Sequence, residues 1–192
     1  MLNTPNLAQK LPKVLKDIAK PSAFHSLSST KIKTIWNQYH SVHPKTVSTV
    51  IPVHEYQTYT SKLEESPLFL FPLFREEGHF FLLSQNYERE ATFTLSESYK
   101  EDLDEAEPQL QLTFFEELMG TKSIVLVRGD INSNLISKTE SELVMNAFLD
   151  LYTDEHLYKT YTLPFNKQKD KFDHEGFLKV YLEDLIKRPP KN

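Results

Sequence analysis

The sequence predicts an α+β protein whose central sheet is antiparallel, has five or more strands, and is flanked by N-terminal and C-terminal helices. Apolar residues recur at helical spacing before residue 65 and after residue 137, whereas between residues 67 and 127 they alternate or form short continuous runs, as in strands. The predicted strands follow one another without long crossovers, which favours antiparallel pairing. A length of 192 residues fits one domain with its own core, and the sequence contains no cysteine for a disulfide or a thiolate site.

Two apolar stripes at helical spacing and one weaker signal predict three N-terminal helices. The first stripe covers residues 11–18 and ends at Pro21, and the second covers residues 32–39 and ends before Pro44. The third predicted helix spans about 52–65 and has a proline in its first turn, where the missing N–H costs no intrahelical hydrogen bond.

Five strands are predicted between the two groups of helices. Residues 68–74 and 80–83 form an apolar hairpin around a turn that contains glycine, and a proline within the first run predicts an edge strand. Residues 91–95 and 110–114 alternate between apolar and polar side chains, which is typical of half-buried strands. The run 123–127 is apolar on both faces and is therefore predicted to be central.

The C-terminal third returns to a helical period. Ser137 and Glu140 match a capping box, ahead of a broad apolar face that reaches Tyr152. Asp173 is a suitable N-cap for a last helix that ends before the final prolines. The stretch between these two helices, about 153–172, is predicted to be irregular.

Charge divides the chain into a basic N-terminal segment and an acidic body. Residues 1–50 carry seven lysines and one acidic residue, whereas residues 51–192 carry 15 basic and 26 acidic residues. We predict a basic segment over residues 1–24, helical or partly disordered, followed by a single α+β domain over residues 25–192. The acidic body argues against nucleic acid as a partner, because it repels phosphates.

The role of the basic segment has two open interpretations. It is either a soluble amphipathic helix that lies against the acidic body, or an arm that binds anionic lipid. The lysines that such an arm would use are Lys10, Lys13, Lys16 and Lys20. No apolar run approaches the roughly 18 residues that a membrane span requires, so stable membrane insertion is not expected.

No group of residues in the sequence predicts catalysis, a metal site or a cofactor. His54-Glu55 and Asp173-His174-Glu175 are sequence neighbours, whereas zinc ligands on a helix are three or four residues apart. The acidic run 101–107 lacks the glycine and the glutamate spacing of a calcium loop, and is predicted to be a solvated loop. Arg128-Gly129-Asp130 follows the predicted central strand, and its glycine favours a bulge or a tight exit there.

The apolar hairpin is the feature that most suggests a function. Its two strands are apolar on both faces, so either helices cover the sheet on both sides or one face is left open for another protein. For the second case the candidate partner-binding residues are Phe69, Phe71, Leu73, Phe80 and Phe115. The alternative is a small-ligand-binding protein or an enzyme with a pocket at this hairpin, near His79 and Arg128.

Several blocks of sequence occur together in an order that resembles a known family. They are IWNQYH (35–40), FPLFREEGHFFLLSQ (71–85), LTFFEEL (112–118), KSIVLVRGDI (122–131), and Phe165-Asn166 followed by Phe172-Asp173. Over about residues 30–180 the chain resembles the mitochondrial ATP synthase assembly factors that chaperone the free β subunit of the catalytic F1 sector. It departs from the family where Ser98 precedes Tyr99 in place of an acidic residue, and where residues 167–169 contain no proline.

The resemblance implies a protein of the mitochondrial matrix that catalyses no reaction and needs no cofactor. Such a factor binds the unassembled β subunit, prevents its aggregation, and releases it when the α subunit docks. We therefore expect a protein partner and no nucleic acid, and we expect the chain to be a monomer.

Overall fold

Residues 13–101, 106–132 and 134–189 are described by the computed structural model of the chain. The strands are β1 (Thr46–Pro52), β2 (Leu68–Arg75), β3 (Gly78–Tyr87), β4 (Glu90–Leu95), β5 (Pro108–Phe115) and β6 (Ile124–Ile131). The helices are α1 (Ser29–Ser41), α2 (Val53–Thr60), α3 (Ser96–Glu101), α4 (Met119–Lys122), α5 (Lys138–Thr153), α6 (Glu155–Leu157), α7 (Leu163–Lys167) and α8 (His174–Glu183). The strands form one six-stranded antiparallel sheet in the order β1-β6-β5-β4-β3-β2. The predicted α+β class, with an antiparallel sheet of five or more strands, is confirmed.

Strands β2 to β6 correspond to the five predicted strands. Strand β6 lies between β1 and β5, as its apolar character on both faces predicts, and β2, which contains Pro72, is an edge strand as predicted. Strand β1 has no counterpart among the predicted strands. Its sequence TVSTVIP (46–52) is rich in β-branched residues, which favour strands, but it lies between two predicted helices.

The two faces of the sheet carry two separate hydrophobic clusters. Helices α2, α5 and α8 pack on one face and form the larger cluster with apolar residues from every strand. Helix α1 and the N-terminal segment pack on the other face, over β1, β5 and β6. The buried members of this smaller cluster are Leu15, Phe24, Ile32, Trp36, Val50, Phe115, Leu118 and Leu126.

The described part of the basic N-terminal segment packs against the body of the protein. Its secondary structure consists of two short 3-10 turns, Leu15–Asp17 and Pro21–Phe24, so the helix predicted over about 11–20 is wrong for the described residues. The backbone N–H of Leu15 donates to Glu117 Oε1 at 2.7 Å, a contact with the body that replaces an intrahelical hydrogen bond. Lys10, which belonged to the predicted lipid-binding arm, lies outside the described residues.

The C-terminal caps are confirmed. Ser137 Oγ accepts a hydrogen bond from the Glu140 N–H at 3.1 Å, and Glu140 Oε2 accepts one from the Ser137 N–H at 2.7 Å. Asp173 caps α8 by accepting from the Gly176 N–H at 2.9 Å, which explains this residue without a metal.

The stretch predicted to be irregular, about 153–172, is mostly helical. Helix α6, a π-helix (Tyr158–Thr162) and α7 follow one another directly. The Asp154 side chain accepts hydrogen bonds from the N–H groups of His156 and Leu157 and so begins this run. Pro164 is tolerated because it lies in the first turn of α7. Helix α2 also differs from its prediction: it ends at Thr60, and its proline is the N-cap residue rather than part of the first turn.

Candidate protein-interaction surface

Three of the five predicted contact residues face the larger cluster. Phe69 and Phe71 are fully buried and Leu73 is 5% exposed. The ring of Phe69 packs edge-to-face on Phe165 and Phe177, with ring centres 5.1 and 5.0 Å apart. Helices α7 and α8 therefore cover this face of the hairpin, and core packing is enough to explain the three side chains.

Phe115 is buried on the opposite face of the sheet. It is 0% exposed and packs edge-to-face on Trp36 of α1, with ring centres 5.8 Å apart. The Trp36 indole N–H donates to the Val127 carbonyl at 3.0 Å and so fixes α1 on the sheet. A partner does not reach Phe115 in this conformation, and for these four buried residues contact with a partner stays a prediction.

Phe80 is the predicted contact residue that reaches the surface. It is half-buried, and the Arg75 guanidinium lies 4.9 Å from the centre of its ring, a cation–π contact. Arg75 also forms an ion pair with Glu140, with Nε–Oε1 and Nη2–Oε2 distances of 2.9 and 3.0 Å. Burial would raise the pKa of the Glu140 carboxyl, but hydrogen bonds from Arg75 and Ser137 hold that pKa below its usual range. This ion pair ties the end of the hairpin to the start of α5.

Aromatic side chains are exposed at the turn end of the hairpin, residues 74–80, which is here called the hairpin tip. Phe74 is 44% exposed, and its ring lies 5.7 Å from that of His79, its partner across the two strands. The turn between them carries Glu76 and Glu77, both exposed. A partner would therefore meet aromatic rings beside two carboxylates. Phe74 was missing from the predicted contact residues, although its position next to the turn is a signal of exposure.

A second exposed apolar strip lies on α1. Ile35, Tyr39 and Val42, here called the α1 flank, are 38%, 51% and 75% exposed. The sequence prediction placed Ile35 and Tyr39 in one helical stripe with Ile32 and Trp36. In the structure Ile32 and Trp36 are buried, whereas Ile35 and Tyr39 are exposed. The helix has two apolar stripes at helical spacing, and only the stripe that contains Trp36 faces the sheet.

A groove runs along the free edge of β1. Its volume is about 810 Å³, and its walls are α1 on one side and α5 on the other. The lining includes all of Thr46–Pro52, with Lys33 and Asn37 from α1 and Met145 and Asn146 from α5. No sequence signal pointed to this groove, because β1 itself was not predicted.

The residues of the alternative ligand pocket are not brought together. His79 lies on β3 and Arg128 on β6, with β4 and β5 between them. The three inter-strand spacings from β3 to β6 correspond to roughly 14 Å. Arg128 instead forms an ion pair with Asp130 at 2.6 Å, and Asp130 also pairs with Lys13 at 2.8 Å. Gly129 lies in a regular part of β6, so the predicted bulge or exit at this residue is wrong.

The described residues contain neither a group of metal ligands nor a membrane-spanning helix. Within residues 13–101, 106–132 and 134–189, no three His, Asp or Glu residues lie close enough together to hold a metal ion. In the same ranges no helix has the length and apolar character that crossing a bilayer requires. The acidic run predicted to be a solvated loop falls largely on residues 102–105, which lie outside the described residues.

The fold and its surfaces define an α+β domain with the features of a protein-binding protein: an exposed aromatic hairpin tip, an apolar helix flank and an open strand edge. The chain belongs to the ATP11 protein family, whose sequence profile matches residues 4–178. The resemblance to the ATP synthase assembly factors seen in the sequence is thereby confirmed.

Three relatives carry the name ATP synthase mitochondrial F1 complex assembly factor 1. The protein from Homo sapiens is 28% identical over 164 residues, which are 84% of this chain and 49% of that protein. The protein from Mus musculus is 29% identical over 134 residues, 70% of this chain and 41% of that protein. The protein from Danio rerio is 27% identical over 164 residues, 84% of this chain and 54% of that protein. The chain thus spans about half the length of these relatives.

Proposed function

We propose that this chain is a non-enzymatic assembly chaperone of the mitochondrial matrix. It binds the unassembled β subunit of the F1 sector of ATP synthase, prevents its aggregation, and releases it when the α subunit docks. The observation that carries the proposal is membership of the ATP11 protein family over residues 4–178, together with the names of the relatives as F1 complex assembly factors.

The physical need for such a chaperone follows from oligomer assembly. A subunit of a permanent complex has a large apolar interface, and until its partner arrives this interface aggregates. A protein that covers it must present exposed aromatic or aliphatic side chains of its own. The hairpin tip and the α1 flank supply such side chains, including Phe74, Tyr39 and Val42.

Release by competition follows from the small number of these anchors. Affinity depends on a few well-packed anchors rather than on total area, so a chaperone with few exposed aromatic residues binds reversibly. The α subunit covers a larger interface on the β subunit and displaces the chaperone if the two surfaces overlap.

We propose the apolar hairpin as part of the contact surface. Phe80 and its exposed neighbour Phe74 contact the partner, while the buried side chains of Phe69, Phe71 and Leu73 hold the two strands in place. Phe115 supports the opposite face through its contact with Trp36.

The test measures light scattering of the free β subunit during dilution from denaturant, with and without the chaperone. Wild type is expected to suppress scattering at equimolar ratio, and Phe74→Ser combined with Phe80→Ser is expected to lose most of this effect. Tyr87→Ser is the matched control, because Tyr87 is an exposed aromatic residue at the opposite end of the same hairpin.

The outcomes separate the parts of the proposal. A folded double variant that suppresses scattering as well as wild type would rule out the hairpin tip as the contact surface. Failure of the wild-type chain to suppress scattering of the β subunit would overturn the chaperone function itself. Addition of the α subunit to a preformed complex is expected to free the chaperone, as measured by size-exclusion chromatography.

A further inference from the structure

Strand β1 is an edge strand with unused backbone hydrogen-bonding groups. At the two ends of its pairing with β6, the Lys45 carbonyl accepts from the Ile131 N–H and the Val53 N–H donates to the Ser123 carbonyl. In an antiparallel pair the groups that face the partner alternate along the strand. Val47, Thr49 and Ile51 therefore face β6.

The N–H groups of Ser48 and Val50 point the opposite way, toward the groove along the free edge. Neither N–H donates to an acceptor among the described residues, since β1 has a neighbouring strand only on the β6 side. Unpaired backbone groups in a row are a template for another extended chain.

The opposite edge of the sheet is interrupted at two positions, whereas β1 offers its outward N–H groups in succession along a groove. At β2 the Asn166 side chain accepts from the Leu68 N–H at 3.1 Å and donates to the Leu68 carbonyl at 2.7 Å, as a neighbouring strand would. Pro72 further along β2 has no N–H to offer. Within the described residues, the outward N–H of Leu70 on β2 therefore lies between a bonded residue and a proline, whereas Ser48 and Val50 follow one another along the groove beside β1.

We propose that an extended segment of the client polypeptide adds to the sheet as a seventh strand beside β1, in the groove between α1 and α5. The proposal rests on the proposed chaperone function, since the client is the unassembled β subunit. Main-chain hydrogen bonds to Ser48 and Val50 supply recognition that does not depend on the side chains of the client.

The walls of the groove define the pattern of the segment. On the α5 side the groove is lined by Met145 and by the polar Lys138, Glu142 and Asn146, next to the buried Val47 and Ile51 of β1. On the α1 side it is lined by Lys33 and Asn37, and Asn37 Oδ1 accepts a hydrogen bond from Ser48 Oγ at 3.2 Å. A residue of the segment that packs beside Met145 is therefore expected to be apolar, and the alternate residues, which face α1, are expected to be polar or acidic.

A second copy of this chain fits the edge poorly. Helices α1 and α5 line the groove on both sides of β1. Pairing two β1 edges would bring the same two helices of the other copy against them before the strands reach hydrogen-bonding distance. A single extended segment has no such obstacle.

The test is amide hydrogen exchange of the chaperone, followed at single residues, with and without purified β subunit. Binding is expected to slow exchange at Ser48 and Val50 at least about tenfold and to leave Val47 and Thr49 unchanged, because these two already bond to β6. Complex formation is measured separately by size-exclusion chromatography.

A pair of variants provides the matched control. Ser48→Pro removes the N–H that faces the groove, which an edge strand tolerates, whereas Ser48→Ala keeps this N–H and removes only the hydroxyl. Ser48→Pro is expected to bind the β subunit about tenfold more weakly, and Ser48→Ala to bind like wild type.

Each outcome decides between the inferences. A complex that forms without slower exchange at Ser48 and Val50 would overturn the added strand and leave the chaperone function standing. Absence of any complex with the β subunit would overturn both the added strand and the proposed chaperone function, because the β subunit would not be the client. Slow exchange that appears without the β subunit and grows with protein concentration would assign the edge to a second copy and overturn the inference.

Discussion

At the scale of single residues, Gly129 has a packing role that its sequence context does not suggest. It lies in the middle of β6, where a Cβ atom would come within 2.5 Å of Val47 Cγ2 and 2.9 Å of Leu112 Cδ2. Both distances are shorter than carbon atoms tolerate, and both neighbours belong to the packed core. The glycine is therefore needed for space between β1, β5 and β6.

We predict that Gly129→Ala lowers the free energy of unfolding by about 1–3 kcal/mol through overpacking. Urea denaturation measures this, and Gly120→Ala is the control, because a Cβ at Gly120 has no atom within 4 Å. Adding Val47→Ala to Gly129→Ala is expected to cost less than the sum of the single changes, since the two share one contact. Unchanged stability of Gly129→Ala would contradict the close packing.

At the scale of elements, the sequence predicts the pattern of strands and helices better than it predicts which face is exposed. Ile35 and Tyr39 share helical spacing with Ile32 and Trp36, and only tertiary packing decides which stripe meets the sheet. Phe69 and Phe71 have the composition of an exposed patch, yet Phe69 is covered by helices α7 and α8, and Phe71 packs near Phe148 of α5.

The same limit explains why the groove beside β1 was not predicted. A single sequence contains the β-branched run of β1, but the free edge arises from pairing with β6, which is more than 70 residues further along the chain. The hairpin tip was closer to prediction, because a turn and its flanking strands are local in sequence.

The closure of β2 by one side chain gives a test at this scale. Asn166 bonds both backbone groups of Leu68, and its Nδ2 also donates to the Thr162 carbonyl at 2.8 Å. We predict that Asn166→Asp and Asn166→Ala each lower the free energy of unfolding by about 1–3 kcal/mol, because two partly buried carbonyl oxygens lose their donor.

Hydrogen exchange at the Leu68 amide distinguishes these two variants. Aspartate keeps the acceptor for the Leu68 N–H and is expected to keep this amide slow, whereas alanine removes the acceptor and is expected to speed its exchange. Equal exchange in Asn166→Ala and wild type would mean that the side chain does not close this edge.

At the scale of the whole molecule, the basic start of the chain and the acidic body form one folded unit in the described residues. Lys13 pairs with Asp130, and Leu15 and Phe24 belong to the smaller cluster together with Trp36. This packing places residues 13–24 beside α1, whose flank and groove face are the surfaces proposed for binding. Substitutions in residues 13–24 are therefore expected to affect α1 through packing in the smaller cluster as well as through charge.

We predict that Leu15→Ala lowers the free energy of unfolding by about 2–5 kcal/mol, because Leu15 is fully buried and its removal leaves a cavity. Lys16→Ala is the matched control: Lys16 is exposed, and its loss is expected to change stability by no more than about 0.5 kcal/mol. Trp36 is the single tryptophan of the chain, so its fluorescence reports directly on the smaller cluster.

If the N-terminal segment and the body unfold as one unit, the Trp36 emission and the far-ultraviolet circular dichroism of any one protein will have the same urea midpoint. This is expected for wild type and for each of the two variants. Leu15→Ala then shifts both transitions together to lower urea. A Trp36 transition that separates from the circular dichroism transition would mean that the N-terminal segment and α1 unfold independently of the sheet, and the chain would then consist of two cooperative units rather than one.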